Sequence, residues 1–256
     1  MNDSKLDSLF TLLKGEFGTR KSTQALSYPT SQYWFSCDKK MGALKIPLKA
    51  WGIPPAEIEY DDYYEYDKID QKLSSLVFNC KYKTIVLDTI TSTADLINLQ
   101  TRSKKSGTTT KAGEEKGHRV GGITVNTMED YKAEASAFQD IIDKLQKIQK
   151  YHNANIVLIA HVVGERKNEG ITTFARIIVT GGKIISAKIP SICQEIYHFN
   201  VKPAIDTSKE AEYALMTTHT GDDYARTSLP LPREITFNSQ PLYTTYIKPA
   251  IDKLKG

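Results

Sequence analysis

The chain has 256 residues, enough for one large domain or two small ones with a sizeable core. Its 25% charged and 40% apolar residues are ordinary for a globular protein, and a net charge of +4 points only weakly to a polyanion partner. No apolar run approaches the ~18 residues of a membrane span, the N-terminus carries no apolar signal segment, and Cys37, Cys80 and Cys193 are too scattered for a disulfide framework or a metal motif, so a cytoplasmic protein is expected.

In chain order, the first informative stretch is apolar, Leu9 to Leu13. It runs into Gly15-Glu16-Phe17-Gly18-Thr19-Arg20-Lys21-Ser22 and then a segment of helical character, Ser22 to Leu26. Those eight residues depart at one position from the phosphate-binding loop Gly-x-x-x-x-Gly-Lys-Ser/Thr: Arg20 stands for the second glycine. The context suits the chemistry. A strand ends in a tight loop whose backbone N–H groups surround phosphate oxygens, and the next helix points its positive end at the same anion. Lys21 would reach the β- and γ-phosphates, and Ser22 would hold Mg²⁺.

Gln32 to Ser36 reads as a short aromatic strand, and Asp38 follows at its exit. A carboxylate there suits orienting and deprotonating an attacking water; the plainer alternative is a turn residue before Lys39-Lys40. Residues 60–67, acidic and aromatic, read as a strand exit and an acidic helix start in preference to a binding motif. Thr84 to Leu87 is a β-branched apolar run ending at Asp88. An Asp at a strand end is often a helix cap. With a phosphate loop upstream, contact with Mg²⁺ is the stronger reading.

From Arg102 to Gly122 the sequence reads as a mobile basic loop. It carries Arg102, Lys104, Lys105, Lys111, Lys116 and Arg119 against Glu114 and Glu115, and holds Ser106-Gly107 and the interrupting Gly113, Gly117, Gly121 and Gly122. Single-stranded DNA is the expected ligand of these cations. Thr127-Met128-Glu129-Asp130 then opens a helix by a capping box, and Tyr131, Ala135, Phe138, Ile142, Leu145 and Ile148 form its apolar stripe. Asn155 to Ala160 is a second buried strand of the kind found in parallel sheets, ending at His161. His161 would lie near a γ-phosphate; alternatively it is only a strand-end hydrogen-bonder.

Residues 164–182 form a second mobile segment, with a strand over 172–180 and a turn at Gly181-Gly182. Its Arg166, Lys167 and Arg176 belong either to a solvated hairpin or to a nucleic-acid contact. Glu195 to Val201 and Glu212 to His219 read as antiparallel strands joined by a polar turn. Arg226 is either a surface residue or a group that reaches a nucleotide in its own or a neighbouring subunit.

The order of these pieces, over residues 8–235, resembles the RecA-like core ATPases. More narrowly it resembles the phage-encoded RecA-like Sak group of single-strand annealing proteins. The resemblance rests on residues 15–23 with Ser27-Tyr28-Pro29, the strand ending at Asp38, residues 84–91, Ile159-Ala160-His161, Gly182-Lys183 to Ile189-Pro190, and Glu195-Ile196-Tyr197. It implies one RecA-like α/β domain over 1–256, mainly parallel strands flanked by helices with late antiparallel strands. Loops at about 101–126 and 164–182 and an extension at about 236–256 complete it. By the same resemblance, residues 15–23 bind nucleotide, Ser22 and Asp88 hold Mg²⁺, Asp38 stands where a catalytic Glu is expected, and His161 couples the γ-phosphate to two DNA-binding loops. The implied activity is ATP hydrolysis by a ring or filament on single-stranded DNA that promotes annealing or recombination, beside a single-stranded-DNA-binding protein, in the host cytoplasm. Arg20 and the shorter acid at Asp38 argue for slow turnover. A helicase or helicase-loader motor, and a nucleotide-locked DNA-binding scaffold, are the alternatives.

Overall fold

The computed structural model describes residues 8–106, 118–120, 123–125, 128–167, 173–178, 180, 183–202, 211–220 and 224–256. Eleven strands are present among them: β1 (Phe10–Gly15), β2 (Gln32–Ser36), β3 (Ile58–Asp62), β4 (Thr84–Asp88), β5 (His118–Val120), β6 (Ile123–Val125), β7 (Asn155–Lys167), β8 (Thr173–Ile178), β9 (Glu195–Lys202), β10 (Glu212–Met216) and β11 (Glu234–Thr236). The helices are α1 (Lys21–Ala25), α2 (Lys45–Ala50), α3 (Tyr66–Phe78), α4 (Ile90–Ser106), α5 (Met128–His152), α6 (Lys183–Ile192) and α7 (Lys248–Lys255).

The main sheet has the order β11-β10-β9-β1-β7-β4-β2-β3, with β8 pairing onto the end of β7. The strands from β9 to β3 are parallel, and β10, β11 and β8 are antiparallel additions. β5 and β6 pair as a separate hairpin.

Both faces of the sheet are covered, which is why its central strands are continuously apolar. Phe10, Leu12, Phe35, Ile85, Leu87, Ile156 and Leu158 face a core closed by α3, α4 and α5. Leu9, Leu13, Trp34, Val86, Val157, Ile159 and Tyr197 face the opposite core, closed by α1 and the C-terminal segment that ends in α7. On α4, Ile90, Ala94 and Ile97 are buried at helical spacing. This corrects the reading of a loop that starts at Arg102: α4 runs on to Ser106, and Arg102 Nε donates to Asn98 O one turn back at 3.3 Å. Likewise β7 continues past Ala160 to Lys167 and pairs with β8 as a hairpin, so much of the segment 164–182 is strand. α6 follows Gly182, where a turn alone is predicted.

Candidate active site

The C-terminal ends of β1, β2, β4 and β7 meet at one edge of the sheet. Gly15 lies beside His161 of β7 on one side and Phe199 of β9 on the other. Asp88 pairs in register with Ser36 of β2 and Ile159 of β7. In open α/β sheets this edge is where ligands bind.

Gly15 closes β1 tightly, for an added Cβ would stand 2.5 Å from Phe199 O. Residues 16–20 form the loop; Glu16, Phe17 and Gly18 are exposed, and Thr19 is buried with its hydroxyl donating to Glu16 O at 2.8 Å. Gly18 has φ +77. Arg20 is left-handed too, at φ 64 and ψ 22, in the place the motif reserves for glycine. That conformation costs a residue with a Cβ roughly 1–2 kcal/mol. The Arg20 side chain extends sideways to the β10–β11 corner: Nη1 donates to Asn238 O at 2.9 Å, and its guanidinium carbon lies 3.7 Å from the centre of the Tyr213 ring.

Lys21 starts α1 and is 4% exposed. Its Nζ donates to Gly15 O at 2.9 Å, Glu16 O at 2.7 Å and Thr19 Oγ1 at 3.2 Å, so the loop wraps around the ammonium. Burial lowers its pKa to about 8, against the opposing pull of Asp88, Asp38 and Glu16. The half-buried Ser22 hydrogen-bonds to Asp88, and Thr23 lies on the first turn of α1.

Asp88 is buried, and its Oδ1 has no hydrogen-bond partner among the described residues. Desolvation, followed by repulsion from Asp38, pushes its pKa up to about 7. Asp88 is not the cap of α4. Thr89 is, with its Oγ1 accepting the Ser92 amide at 3.1 Å, and this leaves the carboxylate free to face the loop.

Asp38 Oδ1 accepts the hydroxyls of Ser92 and, at 3.2 Å, Thr89. Its Oδ2 faces Lys40 at 3.5 Å and His161 Nε2 at 3.7 Å. Burial disfavours the charge on Asp38, but His161, Ser92 and Lys40 together outweigh it and hold the carboxyl well below the usual range. The imidazole of His161 is buried; among the described residues neither ring nitrogen has a partner at hydrogen-bond distance, Nε2 standing 3.7 Å from Asp38 Oδ2, and Phe17 of the loop stacks on it with ring centroids 3.9 Å apart.

The arrangement therefore holds a buried ammonium inside a ring of backbone, an acid with one oxygen unsatisfied among the described residues, a second acid that stays ionised, and an imidazole beside that second acid. No group of three or more His, Cys, Asp or Glu that could hold a metal occurs among the described residues. Asp88 Oδ1 and the Ser22 hydroxyl do fit Mg²⁺, which typically takes one or two protein oxygens and completes its shell with phosphate and water.

The edge thus gathers Gly15, Glu16, Phe17, Gly18, Thr19, Lys21, Ser22, Asp38, Asp88 and His161, with Arg20 and Thr23 directly beside them. It does not gather Arg226. That guanidinium donates to Cys193 O and, at 3.4 Å, to Ser191 O, while its backbone pairs with Ile196. Ile196 is level with Leu12 and Ser191 precedes it, so Arg226 is tied toward the other end of β1 and β9. Lys111 and Lys116 lie outside the described residues. The backbones of Lys104 and Lys105 are in α4, Arg119 in β5, Arg166 and Lys167 in β7, and Arg176 in β8; their side chains are outside the described part. Because β7 passes the level of Gly15 at His161, the β7–β8 hairpin projects from the edge that holds the site. Sequence reasoning missed Thr89, Ser92, Tyr213 and Asn238. The Thr89-x-x-Ser92 spacing before an apolar stripe is a readable cap; the other two carry no local signal.

A family profile described as an AAA domain matches residues 9–229. Among solved structures, the crystal structure of the RadB recombinase is similar over 91% of this chain and 89% of that one, with a TM-score of 0.51 at 12% identity. At that identity the likeness carries the fold, and the sheet is the RecA-like core expected from the sequence. No curated protein matches the chain by sequence. No helix among the described residues is long and apolar enough to cross a membrane.

Proposed function

The chain belongs to the AAA-domain family, matched over residues 9–229, and on that premise we propose that it binds ATP with Mg²⁺ at the 15–23 loop and hydrolyses it slowly. The observation that carries this reading is the pairing of two buried groups. Lys21 is an ammonium held inside the loop's own carbonyls, and Asp88 presents an oxygen that no described residue satisfies. An anion with a divalent cation resolves both.

In this reading the amides of residues 16–20 and Lys21 Nζ take the β- and γ-phosphates, and Lys21 exchanges its backbone partners for phosphate oxygens. Ser22 and Asp88 hold Mg²⁺, which supplies charge neutralisation on the phosphates when bound. Asp38 accepts a hydrogen bond from the attacking water and so aims it. Hydrolysis forms one bond from water oxygen to the γ-phosphorus and breaks the bond to the β-phosphate bridging oxygen. A carboxylate held far below neutral pH is a weak base. Asp38 therefore orients the water, the proton leaves with the phosphate product or to solvent, and turnover is slow. His161, whose Nε2 stands 3.7 Å from Asp38 Oδ2, is the group that would face the γ-phosphate and read its presence.

The wider role proposed is assembly as a ring or filament on single-stranded DNA to promote annealing or homologous recombination in phage DNA metabolism, in the host cytoplasm and beside a single-stranded-DNA-binding protein. The cations at 102–119 and the β7–β8 hairpin are its proposed DNA contacts. Support comes from the projection of that hairpin from the same edge as the site, so that DNA held by the hairpin would lie next to a nucleotide held by the loop. Arg226 is assigned no part in the site of its own chain. A second reading, a nucleotide-locked scaffold with little hydrolysis, is favoured by the strongly acidic Asp38. Steady-state ATP hydrolysis with and without single-stranded DNA separates the two. Slow turnover stimulated by DNA supports the ATPase. Tight binding without turnover supports the scaffold, and absence of ATP binding refutes both.

A further inference from the structure

Arg20 breaks the phosphate-loop motif, yet the loop around it keeps the left-handed turn that glycine ordinarily provides. The contacts that hold it there reach beyond the family match, into the C-terminal segment. Asn238, itself left-handed at φ 44, offers its carbonyl to Nη1 of Arg20. Tyr213 fixes Asn238 in turn. Its amide donates to Asn238 Oδ1 at 2.9 Å, its carbonyl accepts the Asn238 amide at 3.2 Å, and its ring lies under the Arg20 guanidinium.

Further contacts to the C-terminal segment follow along α1 and the turn after it. Gln24, fully buried, donates to Gln240 O at 3.0 Å and accepts the Leu242 amide at 2.7 Å. Ser27 Oγ accepts the Tyr243 amide at 2.9 Å. Arg20 is the N-cap of α1, Gln24 lies within it and Ser27 follows its C-cap Leu26, so these contacts run the length of the helix. Trp51 Nε1 closes the outer side on Ser239 O at 3.0 Å. Residues 238–243 thus lie along the helix whose first residues, Lys21 and Ser22, face the site.

We infer that Arg20 is a positioning residue: through its guanidinium it fastens the phosphate loop to Tyr213 and the 238–243 segment, and this clamp holds the left-handed turn that the motif elsewhere obtains from glycine. The inference rests on the nucleotide reading only for its effect on ATP; the clamp itself is a property of the nucleotide-free loop. Its chemistry is a charge-assisted hydrogen bond plus a cation over an aromatic face. In consequence the side chain that departs from the motif is drawn away from Lys21, and the loop's shape depends on the C-terminal segment.

The test is a double-mutant cycle read by amide hydrogen exchange of residues 15–22 in the nucleotide-free protein, with binding of a fluorescent ATP analogue in parallel. Tyr213→Leu is expected to speed loop exchange and weaken the analogue by about tenfold, the size of coupling typical of contacting residues. In an Arg20→Gly background the same change is expected to add little, since the guanidinium it acts through is gone. Tyr213→Phe keeps the aromatic face and should behave as wild type, which a requirement for the hydroxyl would not allow. Equal effects of Tyr213→Leu in both backgrounds, or a loop that exchanges at the wild-type rate in Tyr213→Leu, would overturn the clamp. If the wild-type protein fails to bind the analogue, the nucleotide reading falls, and the exchange cycle still decides the clamp.

Discussion

The carbonyl oxygen of Asp88 accepts the backbone amide of Asp38 at 3.2 Å, so the ends of β4 and β2 set two carboxylates side by side. Their environments separate them. Asp38 is surrounded by Ser92, Thr89, His161 and Lys40 and stays ionised, whereas Asp88 is desolvated and rises to about 7.

A metal ion should therefore compete with a proton at Asp88. Mg²⁺-dependent nucleotide binding is expected to weaken as pH falls below about 7, and Asp88→Asn should keep metal-free binding while losing the Mg²⁺ dependence. Stability follows the same shift in the absence of metal. The folded pKa lies above the unfolded value of 3.8, so the group's contribution to wild-type stability falls as pH rises from about 4 to about 7 and then levels off. Asp88→Asn lacks that slope. Denaturant titrations of both proteins across this window check it; parallel pH profiles would exclude a raised Asp88.

Gly15 is required by its neighbour and not by its backbone angle. A Cβ there meets Phe199 O at 2.5 Å, backbone that cannot step aside. Gly15→Ala should destabilise the fold by roughly 1–3 kcal/mol, as overpacking does. Chemical denaturation measures this directly. An unchanged midpoint and slope would mean that β1 and β9 separate freely at this point.

His161 touches the loop through Phe17 and the acid through Asp38. Replacing it should affect turnover more than binding. His161→Ala is expected to change the ATP dissociation constant little and to lower kcat by about a hundredfold, the lower range for a group acting on the reacting atoms. Equal losses in affinity and turnover would make the imidazole a structural strand-end group.

Much of this edge is legible in the sequence, because its parts announce themselves locally. Continuous apolar runs end at Gly15, Asp88 and His161, and parallel strands bring such ends together. What stays hidden depends on distant partners. The direction of Arg20 is decided by Asn238, 218 residues away. The length of α4 is obscured because its buried face mixes Ile90, Ala94 and Ile97 with the buried polar Thr93 and Asn98. Arg226 looks free in sequence because its acceptors are backbone carbonyls, which have no sequence signature.

For DNA, the cations at 102–119 should act on phosphates without base preference. Replacing Lys104, Lys105 and Lys111 together with Ala is expected to weaken binding to a labelled single-stranded oligonucleotide. It should also flatten the log–log salt dependence by about two units, near 0.7 for each phosphate that is no longer neutralised. An unaltered slope would remove these lysines from the interface.

Lys21 decides whether this edge is a phosphate site, for its ammonium is buried among loop carbonyls with a pKa lowered to about 8. A bound phosphate would stabilise the charged form, so binding at pH 8.5 should take up protons, while binding near pH 6.5 should take up almost none at this group. The decisive measurement is calorimetric titration of ATP with Mg²⁺ into wild type and Lys21→Ala, in buffers of different ionisation enthalpy at pH 8.5. Saturable binding with proton uptake is predicted in wild type, and a loss of about a hundredfold in affinity in the variant, as expected for removing a charged hydrogen-bond donor. Equal affinity in the two proteins would contradict the assignment of this loop as the phosphate site.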